Sequence, residues 1–265
     1  MLIVQLSDPH VRPDGELYQG VVDSNAQFAA AIAQVNALDP MADLVLLSGD
    51  LVDQGHIDEY AMLARLLAPL KAPVLAIPGN HDEREAFRQA FAGQKWLPAG
   101  GPIDYAVGDL GAVRIMALDV TLPGLHHGAV SEEGANWLDA ALATEPARPT
   151  IIMLHQPPFA TGIPYMDLYS CREGQRLASV VARHSQVERI LCGHVHRFMQ
   201  LRFGATILCT APSTTTAIAL KFSPNARPAS YLEPPAMLLH HWREERGLVT
   251  HFVPIGTFPG PFPFA

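Results

Sequence analysis

Six short apolar runs alternate with five segments of helical periodicity through the first 192 residues, and that alternation leaves few folds open. The runs lie at 2–6, 43–48, 73–78, 113–119, 150–155 and 187–192. Most are apolar almost throughout, as strands covered on both faces must be. Between them, helices are expected over about 24–38, 57–70, 83–92, from Ser131 onward and over about 172–184. Ser24 with Gln27, and Asp82 with Glu85, have the spacing of reciprocal capping pairs. Phe28, Ala31, Ile32 and Val35 form one apolar stripe, Tyr60, Leu63, Leu66 and Leu67 a second, and Trp137, Leu138 and Leu142 a third. The pattern predicts an α/β fold with helices packed outside sheets.

The pattern changes after about residue 200. Runs at 203–210 and 236–242 read as strands flanking a Pro- and Thr-rich stretch from 212 to 235. A connection of that length is expected to be functional or a cap.

With 265 residues, 49% of them apolar, the chain can bury a large core. No apolar run approaches the roughly 18–20 residues of a spanning helix, and the N-terminus lacks a basic, apolar leader. No membrane partner is expected. Three cysteines, an odd count without a C-x-x-C pair, point to buried reduced thiols and a cytoplasmic location. A net charge of −8 argues against a nucleic-acid surface.

The chemistry lies where the runs end. Ser7-Asp8-Pro9-His10 follows the first, Gly49-Asp50 the second, Gly79-Asn80-His81-Asp82 the third; His155 closes the fifth and Gly193-His194-Val195-His196 follows the sixth. Ligands bind at the carboxyl ends of strands in open α/β sheets, so these five loops are expected to converge. Singly each is weak: a D-x-H arises by chance, and a G-H-x-H can be two core histidines. All five in order are hard to explain that way. Mixed imidazole and carboxylate donors suit Fe, Mn, Zn or Co. Two such ions ~3.5–4 Å apart need a carboxylate between them. The chain contains no P-loop, G-x-G-x-x-G or G-x-S-x-G.

In this order the five motifs resemble the signature of the calcineurin-like metallophosphoesterase superfamily. Their spacing is similar to that of its bacterial class III cyclic-nucleotide phosphodiesterase and glycerophosphodiesterase branch. The resemblance covers roughly residues 1–200, with a fainter echo of the glycerophosphodiesterases at Met166-Asp167, Cys171-x-Glu173-Gly174 and Arg176-Leu177. It implies a four-layer α/β/β/α sandwich with a small β-rich C-terminal cap, a dinuclear-metal core at 1–200, and a cap and dimerisation segment at 201–265. It also implies that Asp8, His10, Asp50 and His196 hold one divalent metal ion, and that Asp50, Asn80, His155 and His194 hold the other. His81 would be the catalytic proton donor and would contact the substrate phosphate together with Asn80. The implied reaction is hydrolysis of a small phosphodiester, a 3′,5′-cyclic nucleotide such as cAMP or a glycerophosphodiester, by a hydroxide the metals make available.

Departures narrow this. The protein-phosphatase segment G-D-x-x-D-R-G has Gln54 here in place of its Arg, and Asp82 follows His81 where those enzymes have Glu. A diester, with less charge to clamp, is favoured. A non-catalytic scaffold of this fold would have no reason to keep every ligand, and a nuclease fits the acidic charge poorly. His56, His126, His127, Tyr165, Asp167 and Tyr169 are candidates for the edge of the pocket. His184, His240, His241 and His251 read as structural or exposed.

Overall fold

The computed structural model describes residues 1–264. Along the chain come β1 (Leu2–Leu6), α1 (Ser24–Asn36), β2 (Leu44–Leu47), α2 (Ile57–Leu67), β3 (Val74–Ala76), α3 (Arg84–Ala90), β4 (Tyr105–Val107) and β5 (Arg114–Ala117). There follow α4 (Glu132–Ala143), β6 (Thr150–Met153), α5 (Pro164–Asp167), α6 (Gly174–Val181) and β7 (Val187–Cys192). The last strands are β8 (Met199–Phe203), β9 (Thr206–Thr210), β10 (Ala217–Ile218), β11 (Ser230–Tyr231), β12 (Ala236–Arg243) and β13 (Gly247–Pro254).

Two large sheets result. The first runs β13-β12-β1-β2-β3, parallel through β1, β2 and β3, and the second runs β4-β5-β6-β7-β9-β8, parallel from β5 to β9. Alternate residues of β5 and β6 explain the four layers. Ile115, Ala117, Ile151 and Met153 join the core shared with the first sheet and α1 to α3, whereas Met116 and Ile152 pack with Leu138 of α4 and Leu177 of α6. Because both faces are covered, these strands are apolar at successive positions.

The strands after residue 200 are divided between the sheets: β9 and β8 extend the second, and β12 and β13 complete the first. What remains outside is the stretch from 211 to 235 with its β10–β11 hairpin. β4, β8, β10, β11 and β13 escape the sequence reading. β4 and β13 are sheet edges, where half-exposed residues break the apolar pattern.

Three local expectations are corrected. The α1 cap is Asp23, which accepts from the Ala26 N–H at 2.9 Å; Ser24 is buried and donates instead to the His10 carbonyl at 2.9 Å. Likewise Glu83 caps α3, accepting from the Ala86 N–H at 2.8 Å, because Asp82 is committed to the loops around it. The helix α6 begins at Gly174, since Glu173 has φ +59° and the Arg172 N–H donates to the Gly128 carbonyl. All three cysteines are buried and free, and burial pushes the Cys171 thiol up to about 12. Among the described residues, no helix is long and apolar enough to cross a membrane.

His240 of β12 sits unexposed between the sheets, its Nδ1 2.9 Å from Thr250 Oγ1 and its Nε2 3.3 Å from Gln5 Oε1. Burial, with Arg189 nearby, lowers its pKa to about 3. Folded, it stays neutral where the unfolded chain's histidine, near 6.5, takes a proton. The unfolded state therefore binds more protons, and stability falls as pH drops below about 6.5. His240→Gln is expected to show a shallower loss of urea stability between pH 6.5 and 4 than the parent, by up to one proton's slope. Parallel curves would refute this.

Candidate metal centre

Parallel pairing of β1, β2 and β3 brings three of the motif loops to one end of the first sheet, and β6 and β7 bring the other two to the same end of the second. Asp8, His10, Asp50, His155, His194 and His196 are all at most 6% exposed. Their donor atoms fall into two buried groups, Asp8 with His10 and His196, and Asp50 with His155 and His194, each within 4.8 Å. Asp50 lies between them: its Oδ2 is 3.2 Å from His155 Nε2 and 3.8 Å from His10 Nε2. Its other oxygen accepts from the His81 N–H at 2.9 Å.

The backbone is strained where it presents these groups. Among the described residues, seven non-glycine residues have positive φ, and five of them are Asp8, His10, Asp50, His194 and His196. Each costs of order 1–3 kcal/mol and persists only where surroundings impose it. Glycines meet the other need, close approach. A Cβ at Gly49 would strike the His155 ring, and one at Gly193 would strike Ser7 and Asp8.

Partners fix the imidazole tautomers. His155 Nδ1 lies 2.8 Å from the Ser48 carbonyl and His196 Nδ1 3.0 Å from that of Thr216. A carbonyl only accepts, so each Nδ1 carries the proton and each Nε2 turns a lone pair inward. His81 Nδ1 donates to the Asp53 carbonyl at 2.7 Å, which frees its Nε2 likewise.

Three observations show that the pocket fits divalent cations. First, His155 Nε2, His194 Nε2 and Asn80 Oδ1 are buried without a hydrogen-bond partner, a costly state unless something electropositive meets them. Second, His10 Nε2 and His196 Nε2 stand 3.1 Å apart, a distance that two lone pairs do not hold without a cation or proton between them. Third, two buried carboxylates crowd one another, with only histidines beside them to offset their charge. Burial raises the Asp8 carboxyl, with Asp50 adding to the shift against the opposing pull of His155. Burial alone would raise Asp50 also, and the neighbouring histidines hold it low instead. Burial likewise lowers His194 to about 3, keeping it a neutral donor.

A second tier supports the donors, and the sequence reading missed most of it. Asp53 Oδ1 is 3.6 Å from both His10 Nδ1 and His81 Nδ1. Burial works against its ionisation, but the nearby His10 ring and a bond from the Gln54 amide hold it at about 2. Arg12 binds Asp53 at 3.0 Å and the fully buried Glu59 at 2.7 Å, and Glu59 also accepts from the Gln54 and His56 N–H groups. The second acid of Gly49-Asp50-Leu51-Val52-Asp53 was the available signal. Ser213 and Thr215 bond the Asp8 carbonyl, which explains why part of the Thr-rich stretch is buried.

Outside the donors opens a cleft of about 450 Å³ rimmed by Tyr18, His126, Tyr165, Met166, Tyr169 and Ile218. No lysine or arginine is among its described lining residues. Of the residues weighed for its edge, His126, Tyr165 and Tyr169 are there. His56 is the N-cap of α2, Asp167 folds back on Thr161 and Gly162, and His127 does not line the cleft. His184 pairs with Asp139 at 2.7 Å.

Comparison with known proteins agrees with this arrangement. The chain is 35% identical over 265 residues to a probable glycerophosphodiester phosphodiesterase, GpdQ, of Arcobacter nitrofigilis, covering 100% of this chain and 97% of that one. It is 31% identical over 220 residues to the 3′,5′-cyclic adenosine monophosphate phosphodiesterase CpdA of Pseudomonas aeruginosa, covering 83% and 78%. In fold it is similar to a dimetal phosphatase from Danio rerio, with TM-score 0.63, 15% identity, and coverage of 97% and 99%. The family model for calcineurin-like phosphoesterases matches residues 1–198, the stretch that supplies every candidate donor, and the chain belongs to that family.

Proposed function

We propose that the chain is a metal-dependent phosphoric diester hydrolase acting on a small phosphodiester. The observation that carries this is Asp50, buried and central between two complete groups of N and O donors. Asp8, His10, Asp50 and His196 would hold one divalent ion, and Asp50, Asn80, His155 and His194 the other. Ions of Fe, Mn, Zn or Co type bound there would lower the pKa of water and offset charge on phosphoryl oxygens.

The chain's own residues do the rest. Asn80 and His81, from one loop at the cleft, are placed to contact the phosphate. His81, anchored through Nδ1, offers Nε2 to the leaving oxygen. Burial alone would lower its pKa, but Asp50 and the Asp53 carbonyl raise it, which favours the protonated form a leaving alkoxide needs. A cleft without lysine or arginine holds a singly charged diester better than a dianionic monoester. The two sequence relatives named above are a probable glycerophosphodiester phosphodiesterase and a cAMP phosphodiesterase, and both substrates belong to this reading.

The test is turnover by the Mn-reconstituted protein with cAMP, glycerophosphocholine and a phosphomonoester side by side. Hydrolysis of either diester supports the reading, and none with metals demonstrably bound refutes it. His81→Ala is expected to keep both metals and lose about 10²–10⁴-fold in kcat, the usual worth of a positioned acid. An unchanged kcat removes His81 from the mechanism.

Residues 1–200 form the catalytic core of this reading, and 201–265 carry the segment proposed to pair two copies in the cytoplasm. Exposed Leu220, Phe222, Tyr231 and Leu232 on the hairpin support pairing there. Light scattering is expected to give a dimer mass, and a monomer ends that part. Three buried free thiols support the reducing compartment.

A further inference from the structure

The cleft has two chemically different ends. One gathers the candidate donors and Asp53. At the other, rings meet nearly at right angles in series: Tyr165 against Tyr169 with centroids 5.2 Å apart at 80°, and Tyr169 against His126 at 5.4 Å and 70°. His126 links the two ends, its ring 6.0 Å from that of His81 and its Nδ1 3.4 Å from the Asn80 amide. Met166 and Ile218 complete the wall.

Rings standing at right angles make a corner and not a platform. A purine binds best on an open ring face, stacked offset or met edge-on. It also needs donors or acceptors for its edges. The amides of the cleft serve the other end: Gln19 donates to the Tyr18 hydroxyl and Gln54 to Asp53, both at 3.0 Å. A compact cation ringed by methyl groups has no preferred plane, and several aromatic faces can hold it at once. The charge balance points the same way. No lysine or arginine is among the described residues lining the cleft to repel a cation.

We propose that His126, Tyr165 and Tyr169 form a recognition corner for a quaternary ammonium group. The preferred substrate is then a glycerophosphodiester carrying choline and not a cyclic nucleotide. This rests on the phosphodiesterase reading above and names its substrate class. The two-carbon arm of choline is short, and His126 touches both ends of the cleft. One molecule can therefore place its phosphate beside Asn80 and its ammonium among the rings.

Titration calorimetry of the metal-loaded protein with choline and with 3,3-dimethylbutan-1-ol, its neutral isostere, separates charge from bulk. Choline is expected to bind about 5-fold or more tightly, the scale of a cation held by ring faces. Equal affinity, or no choline binding, overturns the proposal. The ratio of kcat/KM for glycerophosphocholine over glycerophosphoglycerol reads the same contact in catalysis. In Tyr169→Leu and Tyr165→Leu, which keep apolar bulk without a ring, that ratio is expected to fall about 5-fold or more. An unchanged ratio in both variants overturns the proposal, as does a cAMP preference that disappears with the ring. Methyl 4-nitrophenyl phosphate tests the underlying reading separately. If no diester turns over with metals bound, the phosphodiesterase reading fails, and the choline titration still decides the corner.

Discussion

Asp50→Ala is expected to abolish metal binding and turnover together while leaving the chain folded. Asp50 reaches both donor groups, with a single oxygen 3.2 Å from His155 Nε2 and 3.8 Å from His10 Nε2. Its other oxygen takes the His81 N–H, so the same residue sets the loop that carries Asn80 and His81. On the proposed assignment, loss of any other donor would leave one ion fully held, whereas loss of Asp50 takes a ligand from both. The effect on kcat should therefore exceed the about 10²–10³-fold that removal of one electrostatic contact costs. Folding should survive, because the substitution also removes a carboxylate whose repulsion helps raise Asp8. The checks are metal content by atomic emission, turnover with a phosphodiester, and far-ultraviolet circular dichroism. Two ions per chain, or parental turnover, would remove Asp50 from its bridging place. An unfolded spectrum would leave metal content to be read on Asp50→Asn, which keeps the volume and loses the charge.

What could be read from the sequence was whatever local pattern decides. Strands β1, β2, β3, β5, β6 and β7 announce themselves because both faces are covered, and the donors because each follows such a strand directly. Ser131 was read correctly as the start of α4, since its hydroxyl meets the Gly134 N–H three residues on, within one turn. The misses are contacts whose partners are distant in the chain. Asp82 has the spacing of a cap, yet its carboxylate joins Leu51, Gly79 and Tyr60. Ser24 fits a cap as well, but the loop after β1 covers it. Arg12 and Glu59 are 47 residues apart and reveal their link to Asp53 only when α2 docks beside that loop. Strand β13 is an edge, and the chain spacing between β12 and β1 hides that they pair.

Gly79→Ala, which touches no charge and no donor atom, is expected to damage the site nearly as much as loss of a ligand. Gly79 has an ordinary φ, so an alanine there carries no backbone penalty of its own. The cost is spatial. A methyl at this position would overlap Asp50 Oδ1, the Asp50 backbone nitrogen and His155 Nε2, all closer than real Cβ atoms approach. None of these can yield cheaply. Asp50 is held by the His81 N–H, His155 by the Ser48 carbonyl, and Gly79 itself by its N–H to Asp82 Oδ2 at 2.8 Å. Relief must come from shifting the Gly79-Asn80-His81 turn, which moves Asn80 and His81 away from the other donors. A displacement near 1 Å in such a constellation costs about 10²-fold in rate, and the affinity of the Asp50, His155 and His194 group should fall with it. Gly100→Ala is the control: nothing lies within 4 Å of its Cβ and its φ is ordinary. Its stability change should stay within about 0.5 kcal/mol, as for a surface substitution away from special features. Metal titration and kcat on the two variants decide the matter. Wild-type values in Gly79→Ala would mean that the turn has slack, and that the glycine after β3 is not there to let the backbone approach Asp50.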